Sequence, residues 1–452
     1  MKKAAFHNLG CKVNSYEMEY MQQEFAKNGY EIVPFAEKAD IYVVNTCTVT
    51  NIADRKSRQM LHQAKKRNPD ALVVATGCYV QTDREGALGD PMIDLLVGNN
   101  RKADIVRIVE EALFEKEEKR AYVSDLKAER TYEDMDLSET HEHTRVSVKI
   151  QDGCDQFCSY CIIPHARGRA RSREKEKVLS EIEMLSGRGY REVVLTGIHL
   201  SAYGIDLINP GKSYQQVLGK EGYTNGTLLS LIEDIDRGHM ADRIRLGSLE
   251  PGIITGPFLK RLKEIPSFCD HFHISLQSGS DEVLKRMNRH YTTEEYLQKV
   301  GLIREYFPMA AVTTDVIVGF PMETEEEFLE TRRFLSAVDF YEVHVFKYSR
   351  RKGTVADGMS GQLTERVKKE RSELLIADSR IRQKAFMQKM IGNTTELLTE
   401  EAFVHNGETY MTGFTKNYVR CALKGTGPSG KIVKCTVKGF LTDEILEVSG
   451  DK

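Results

Sequence analysis

Cys154-Asp155-Gln156-Phe157-Cys158-Ser159-Tyr160-Cys161 decides how the rest of the chain is read. Gly153 precedes this stretch and Ile162-Ile163-Pro164 follows it. Three thiolates from one tight loop, spaced C-x-x-x-C-x-x-C, can hold three irons of a [4Fe–4S] cluster and leave the fourth iron open to another ligand. A zinc knuckle is the competing reading. Zinc takes four N or S ligands, and His165, although near, has an unusual spacing for a structural site. Isolated cysteines are usually small buried hydrophobes, but three within eight residues do not fit that explanation.

Outward from this loop, the sequence divides into modules. At 452 residues it exceeds one ordinary domain, and 40% hydrophobic content suffices for packed cores. No apolar run approaches a membrane span, and Met1-Lys2-Lys3-Ala4-Ala5-Phe6 opens no long hydrophobic region, so a cytoplasmic protein is expected. Nine cysteines in that compartment point to metal or catalytic use. The net charge of −3 carries no global bias towards nucleic acid.

Upstream, Ala4–Leu9, Ile41–Asn45 and Leu72–Thr76 read as buried parallel strands, each followed by a helical pattern. Each ends just before a cysteine: Cys11, Cys47 and Cys78. Ligands of open α/β sheets sit beyond the carboxyl ends of the strands, so these thiols are expected to converge as a second three-cysteine cluster site. Residues 113–144 are dominated by charge and read as a linker between domains 1–112 and 145–376.

From Arg145 the strand–helix alternation restarts, with strands expected at Val146–Ile150, Glu192–Thr196, Arg243–Leu249, Phe272–Gln277, Val312–Phe320 and Val343–Tyr348. Six right-handed β/α units make a partial (β/α)6 barrel whose site lies at the carboxyl ends of its strands, where the Cys154–Cys161 loop falls. Ser280-Asp281-Glu282 and Thr292-Thr293-Glu294-Glu295 read as helix starts with caps. Ser275 and Gln277 alternate with His273 on one face, a polar row that is costly in a sealed core and so invites a polar ligand. Arg167, Arg169, Arg171 and Arg173 alternate after the cluster loop, either as a solvated edge or as a phosphate track. Residues 206–226 read as an irregular insertion, and Arg350–Thr354 as a border of the substrate site.

The last segment, 377–448, reads as a helix followed by a small antiparallel β-barrel. Alternation puts Cys421 and Cys435 in its core and Arg420, Lys434 and Lys438 outside. Between Arg380 and Lys452 there are eleven Lys/Arg against eight Asp/Glu, a mild bias that fits RNA backbone binding.

The whole chain resembles the radical S-adenosylmethionine (SAM) methylthiotransferases, and within them the bacterial group that modifies N6-threonylcarbamoyladenosine in tRNA. The resemblance rests on Leu9-Gly10-Cys11-Lys12-Val13-Asn14, Val44-Asn45-Thr46-Cys47-Thr48-Val49-Thr50, Gly77-Cys78, Lys149–Cys154 through Arg167-Gly168-Arg169, and Ser275–Ser280. It implies a three-part α/β architecture: an N-terminal open parallel domain, the radical SAM barrel and a C-terminal TRAM barrel. It implies two [4Fe–4S] clusters, one on Cys154, Cys158 and Cys161 that cleaves SAM to a 5′-deoxyadenosyl radical, and an auxiliary one on Cys11, Cys47 and Cys78 that carries the sulfur. SAM contacts are implied for Tyr160, Gly197, Ser248, Glu250, Ser275, Gln277 and Asp315. The implied reaction is methylthiolation at C2 of the modified adenosine 37, next to the anticodon, in tRNAs reading codons that begin with A. The implied partners are tRNA, a flavodoxin- or ferredoxin-like reductant and a sulfur donor. Isopentenyladenosine in tRNA, or an aspartate of a ribosomal protein, is the rival target. A non-catalytic iron–sulfur RNA-binding protein is the rival class.

Overall fold

The structure is a computed structural model that describes residues 1–115, 120–138, 144–218 and 225–450. Strands β1 (Lys3–Asn8), β2 (Glu31–Val33), β3 (Ile41–Thr46), β4 (Leu72–Gly77), β5 (Leu95–Val97) and β6 (Arg120–Tyr122) form one parallel sheet in the order β2-β1-β3-β4-β5-β6. Helices α1 (Lys12–Lys27), α2 (Asn51–Arg67), α3 (Cys78–Thr82), α4 (Arg84–Gly89) and α5 (Ile105–Glu115) intervene. Separate apolar clusters pack on the two faces, which is why β3 is buried along its whole length. The sequence shows three of the six strands. The other three have three residues each, too short to display a period.

The stretch expected to be a linker is mostly built in. β6 joins the first sheet, so the domain does not end at residue 112. Beyond it, Leu126, Met135 and Leu137 are buried, and Tyr132 Oη donates to the carbonyl of Lys149 at 2.9 Å. Its apolar residues are few, but Leu126, Met135 and Leu137 are spent on packing. Residues 116–119 and 139–143 of the expected linker, and 219–224 of the expected insertion, lie outside the described residues. The insertion otherwise carries helices Ile205–Ile208 and Tyr214–Leu218, with Tyr214 and Val217 buried.

β7 (Arg145–Lys149) opens the central domain, and the short pair β8 (Gln151–Asp152) and β9 (Arg171–Ser172) brackets the cysteine loop and helix α6 (Ile163–Arg167). β10 (Glu192–Thr196), β11 (Arg243–Leu246), β12 (His271–His273), β13 (Ala311–Val318) and β14 (Glu342–Lys347) complete six parallel strands. They run as two three-stranded sheets joined by parallel bridges Ile244–Phe268 and Leu249–Ile274. This is the expected partial barrel. Thr292 and Glu295 form a capping box, as the sequence suggests. Ser280 does not cap: its hydroxyl donates to Glu330 Oε2 at 2.6 Å instead.

Helix Glu365–Met390 leads to β15 (Thr394–His405), β16 (Glu408–Thr415), β17 (Arg420–Lys424), β18 (Ile432–Thr442) and β19 (Ile445–Gly450), a closed barrel. Its β17–β19 pair is parallel, so the barrel is not purely antiparallel. Cys421 and Cys435 are buried in its core, as alternation requires.

The first two domains meet through a buried ion network. Glu17 of α1 accepts from Lys102, from Lys149 at 2.7 Å and from Arg167 at 2.8 Å. Arg167 also reaches Asp152 at 2.9 Å and donates to Asn14 Oδ1 at 2.6 Å. Burial pushes the Glu17 and Asp152 carboxyls up, but Arg167 and the lysines outweigh it and hold both well below the usual carboxylate range. Carboxylates depressed in the folded state stabilise above the ordinary carboxylate range, and that contribution is lost as pH falls through the depressed values. Glu17→Gln should therefore lower the stability of the full chain by about 3–5 kcal/mol, because three cations lose their buried partner. Thermal unfolding against pH checks this: the wild type should lose stability on acidification more steeply than the variant.

Candidate functional site

The loops after β1, β3 and β4 bring the first triad together. Cys11 caps α1, Cys47 follows β3 and Cys78 begins α3. Gly10, at φ +120°, is so close to the second loop that a Cβ there would lie 3.3 Å from Cys47 Cβ. Gly77, at φ +96°, would place a Cβ 2.4 Å from the carbonyl oxygen of Thr46. Only glycine satisfies both the left-handed backbone and the close approach. The Cys47 thiol is pushed up to about 11, chiefly by burial and with a contribution from Cys78 and Cys11, while the Val49 amide and Arg167 oppose it.

The second triad follows β8. The Cys154 amide donates to the Gly168 carbonyl at 3.0 Å, and the Cys161 amide to the Cys158 carbonyl at 2.9 Å. Arg289 Nη1 lies 3.2 Å from Cys158 Sγ, and its Nη2 donates to both oxygens of Glu250 at 2.7–2.8 Å. The Cys161 thiol is raised to about 12, chiefly by burial, with Cys158 and, to a smaller extent, Cys78 of the first triad contributing. The two triads are thus electrostatic neighbours. Helix α3 packs on α6, and Asn99 reaches Cys78 Sγ at 3.6 Å and the Ala166 carbonyl at 2.7 Å.

Cys11 on one side and Cys154, Cys158 and Cys161 on the other line one cavity of about 560 Å3. Tyr160, Gly197, Ser248, Glu250, Ser275, Gln277 and Asp315, all expected from the sequence, line it too. Gly197 has no room for a side chain, since a Cβ would lie 2.9 Å from Gln151. Ser248 and Ser275 pair through their hydroxyls at 2.9 Å, and Asp315 lies 3.3 Å from His273 Nε2. Polar groups enter the cavity because side chains from the barrel strands point inward at alternate positions.

The donor set tests the choice of metal. Three thiolates on one zinc ion, at Zn–S of about 2.3 Å, would lie roughly 3.8 Å apart. Among the described residues, the three-residue group whose ligand atoms all lie within 4.8 Å is His273, Asp315 and His344; neither cysteine triad closes so far. The wider separation suits thiolates on different irons of a cluster.

The alternating arginines require a correction. Arg167, Arg171 and Arg173 are buried, so they form neither a solvated edge nor a phosphate track. Helix α6 ends at Arg167, Gly168 turns the chain at φ +76°, and β9 lasts two residues, so no extended strand exists to align them. Arg171 faces Asp152 at 3.8 Å, and Arg173 pairs with Glu181 and Asp136. Arg169 alone of the four is exposed, paired with Asp155 at 3.2 Å and set over the Phe157 ring. Arg351 is also buried, holding Asn51 at 2.8 Å and Asp54 of the first domain, and does not border the cavity. Arg420 pairs with Glu401 on the C-terminal barrel, while Lys434 and Lys438 are exposed there.

The sequence reading missed Arg289, His199, Arg245 and His271, which also line the cavity. Arg289 follows a helix with no pattern to mark it. Arg245 had a signal: Arg243-Ile244-Arg245-Leu246 places two charges at period two inside a buried strand, which demands partners.

Comparison with known proteins agrees with this arrangement. The radical SAM superfamily matches residues 148–335, and the uncharacterized protein family UPF0004 matches residues 3–98. The threonylcarbamoyladenosine tRNA methylthiotransferase of Bacillus subtilis is 42% identical, over 97% of this chain and 94% of that protein. That of Aquifex aeolicus is 38% identical, over 96% and 100%. The chain belongs to the radical SAM methylthiotransferases. Methylthiotransferases of this family use SAM and [4Fe–4S] clusters. In fold, this methylthiotransferase is similar to the radical SAM methyltransferase TsrM of Kitasatospora setae, with a TM-score of 0.56 at 17% identity over 79% of this chain and 77% of that one. Among the described residues, no helix is long and apolar enough to cross a membrane.

The two triads should separate by mutation. Changing Cys11, Cys47 and Cys78 together to Ala should remove roughly half of the bound iron and leave SAM cleavage to 5′-deoxyadenosine intact. Iron analysis and product chromatography on the reconstituted variant check this; full iron content, or cleavage lost at unchanged iron, would contradict it.

Proposed function

We propose that this methylthiotransferase acts at C2 of N6-threonylcarbamoyladenosine 37 in tRNAs that read codons beginning with A, as a cytosolic enzyme. The observation that carries the proposal is the single cavity bounded by cysteines of both triads. The 42% identity to a relative bearing that activity in its name supports the choice of base. A dimethylallyladenosine-directed relative from Desulfitobacterium hafniense is less similar, at 33% over 92% of this chain.

Cys154, Cys158 and Cys161 would hold the SAM-binding cluster, and Cys11, Cys47 and Cys78 the auxiliary cluster. When bound, these groups supply the radical and the sulfur, chemistry that belongs to the cofactors. The protein positions them and keeps water out. Arg289, fixed by Glu250, sets a positive donor against Cys158. Arg167 places positive charge behind Cys47 and Cys78. Tyr160, Gly197, Ser248, Glu250, Ser275, Gln277 and Asp315 form the wall against which SAM would lie. Lys434 and Lys438, with Arg420 nearby in the same barrel, would hold tRNA phosphates, helped by Arg169 beside the cluster loop. Arg167 and Arg171 are withdrawn from that role by burial. A flavodoxin- or ferredoxin-like reductant and a sulfur donor complete the cycle.

Nucleoside mass spectrometry of tRNA from a strain lacking this gene tests the substrate. The 2-methylthio form should vanish and unmodified threonylcarbamoyladenosine accumulate. Its unchanged persistence, with no redundant enzyme, would make the assignment wrong. Failure of the reconstituted protein to form 5′-deoxyadenosine from SAM and reductant would favour a binding-only role.

A further inference from the structure

The floor of the cavity carries a buried cation whose donors are not used up. Arg245, only 1% exposed, lines the cavity from β11. Its Nε donates to Glu192 at 2.8 Å, but Nη1 and Nη2 are buried without a hydrogen-bond partner. Its guanidinium carbon sits 4.1 Å from the centre of the Tyr418 ring, which comes from the C-terminal barrel. Arg145 Nη1 donates to Tyr418 Oη at 2.7 Å, so the ring beneath Arg245 is itself fixed. His271, 8% exposed, lies beside the same ring, and its Nδ1 is likewise buried without a partner.

Charge in this corner is unbalanced. Arg245 shares Glu192 with Arg243, whose Nη1 is 3.7 Å from it, and Arg145 is paired with Glu400 at 3.0 Å. Burial pulls the His271 pKa well down, and Arg245, His273, Lys12 and His344 pull it further, which marks a positive local potential. Asp315 and Glu342 also face the cavity, but Asp315 is engaged by His273 and Glu342 lies 3.9 Å from His344. Leaving buried N–H donors unpaired is costly, and a guanidinium with both terminal nitrogens open matches a carboxylate bidentately.

We propose that Arg245, with His271 beside it, receives the carboxylate of the threonylcarbamoyl substituent and so sets the preference for an acid-bearing N6 group over an apolar one. The proposal rests on the threonylcarbamoyladenosine reading above. An isopentenyl group would leave these donors desolvated and unpaired, the circumstance in which a polar site rejects an analogue most strongly.

The test compares kcat/KM of the reconstituted full chain on an anticodon stem-loop bearing threonylcarbamoyladenosine and on the same RNA with the threonine carboxylate converted to the carboxamide. Wild type should favour the acid by about 10- to 100-fold, the value of a charge-assisted hydrogen bond. In Arg245→Gln the ratio should fall towards one, Arg245→Lys should retain part of it, and His271→Asn should reduce it less. A wild-type ratio near one overturns the proposal and needs no variant. So does a variant of Arg245 that loads its full iron and discriminates like wild type. If Arg245→Gln fails to load iron, the wild-type ratio and His271→Asn decide. A wild type that methylthiolates neither RNA but accepts isopentenyladenosine removes the substrate reading as well, which distinguishes the two failures.

Discussion

The side chain of Glu17 is the constraint on which the structure turns. It is fully buried, and Lys102, Lys149 and Arg167 converge on it from three different segments. Burying one such ion costs several kcal/mol unless geometry and hydrogen bonds compensate, and here Glu17, Lys149 and Arg167 each have more than one partner. The network is not neutral in itself. Lys102, Lys149, Arg167 and Arg171 outnumber the carboxylates of Glu17 and Asp152. Glu133 is a further acid facing Lys149 and Lys102, and next door Arg167 pulls the Cys47 and Cys78 thiols down against the larger upward effect of burial. One arginine therefore joins the first two domains and sets its charge beside the first cysteine triad.

That junction explains how cysteines scattered over the first half of the chain meet. Three parallel strands end at one edge of the first sheet, and β7 ends at the mouth of the barrel. Ion pairs alone tolerate some sliding, so the join is fixed by other contacts as well. Asn14 accepts from Arg167 while donating to the carbonyls of Leu9 and Thr46, so the network reaches the loops of Cys11 and Cys47 directly. On the far side, Arg351 and Ser349 hold the start of α2. The cavity lies between these two attachments and is walled by both domains.

Much of this was legible in the sequence, and what was not had a common cause. The long strands, the capping box at Thr292 and the core cysteines of the last barrel were readable because each depends on local pattern. The two cysteine triads could be picked out because chemistry restricts what three thiols in such places can do. The arginines after Cys161 misled because alternation specifies a common face only in a continuous strand, and Gly168 breaks the chain between Arg167 and Arg169. The charged segment misled because composition averages over residues, while Leu126, Met135 and Leu137 pack individually. Arg289 and His271 were beyond reach, since their significance depends on distant segments: Glu250 and Cys158 in one case, Tyr418 in the other.

The place of Tyr418 changes what the C-terminal barrel contributes. A tethered RNA-binding module would need no contact with the chemistry. Here Arg243, inside a strand of the central barrel, donates to the carbonyls of Phe414 and Glu396 at 2.9 and 2.8 Å, and Arg145 lies over the Phe414 ring. Tyr418 stacks on Phe414 with ring centres 4.5 Å apart and is held at φ +67°, a conformation that a bulky residue adopts only where its surroundings impose it. The ring that results closes the cavity floor and carries the guanidinium of Arg245. A displacement of the C-terminal barrel would thus disturb the cavity where Arg245 and His271 line it. The C-terminal barrel is therefore a structural wall of the cavity, which residues of all three parts of the chain line.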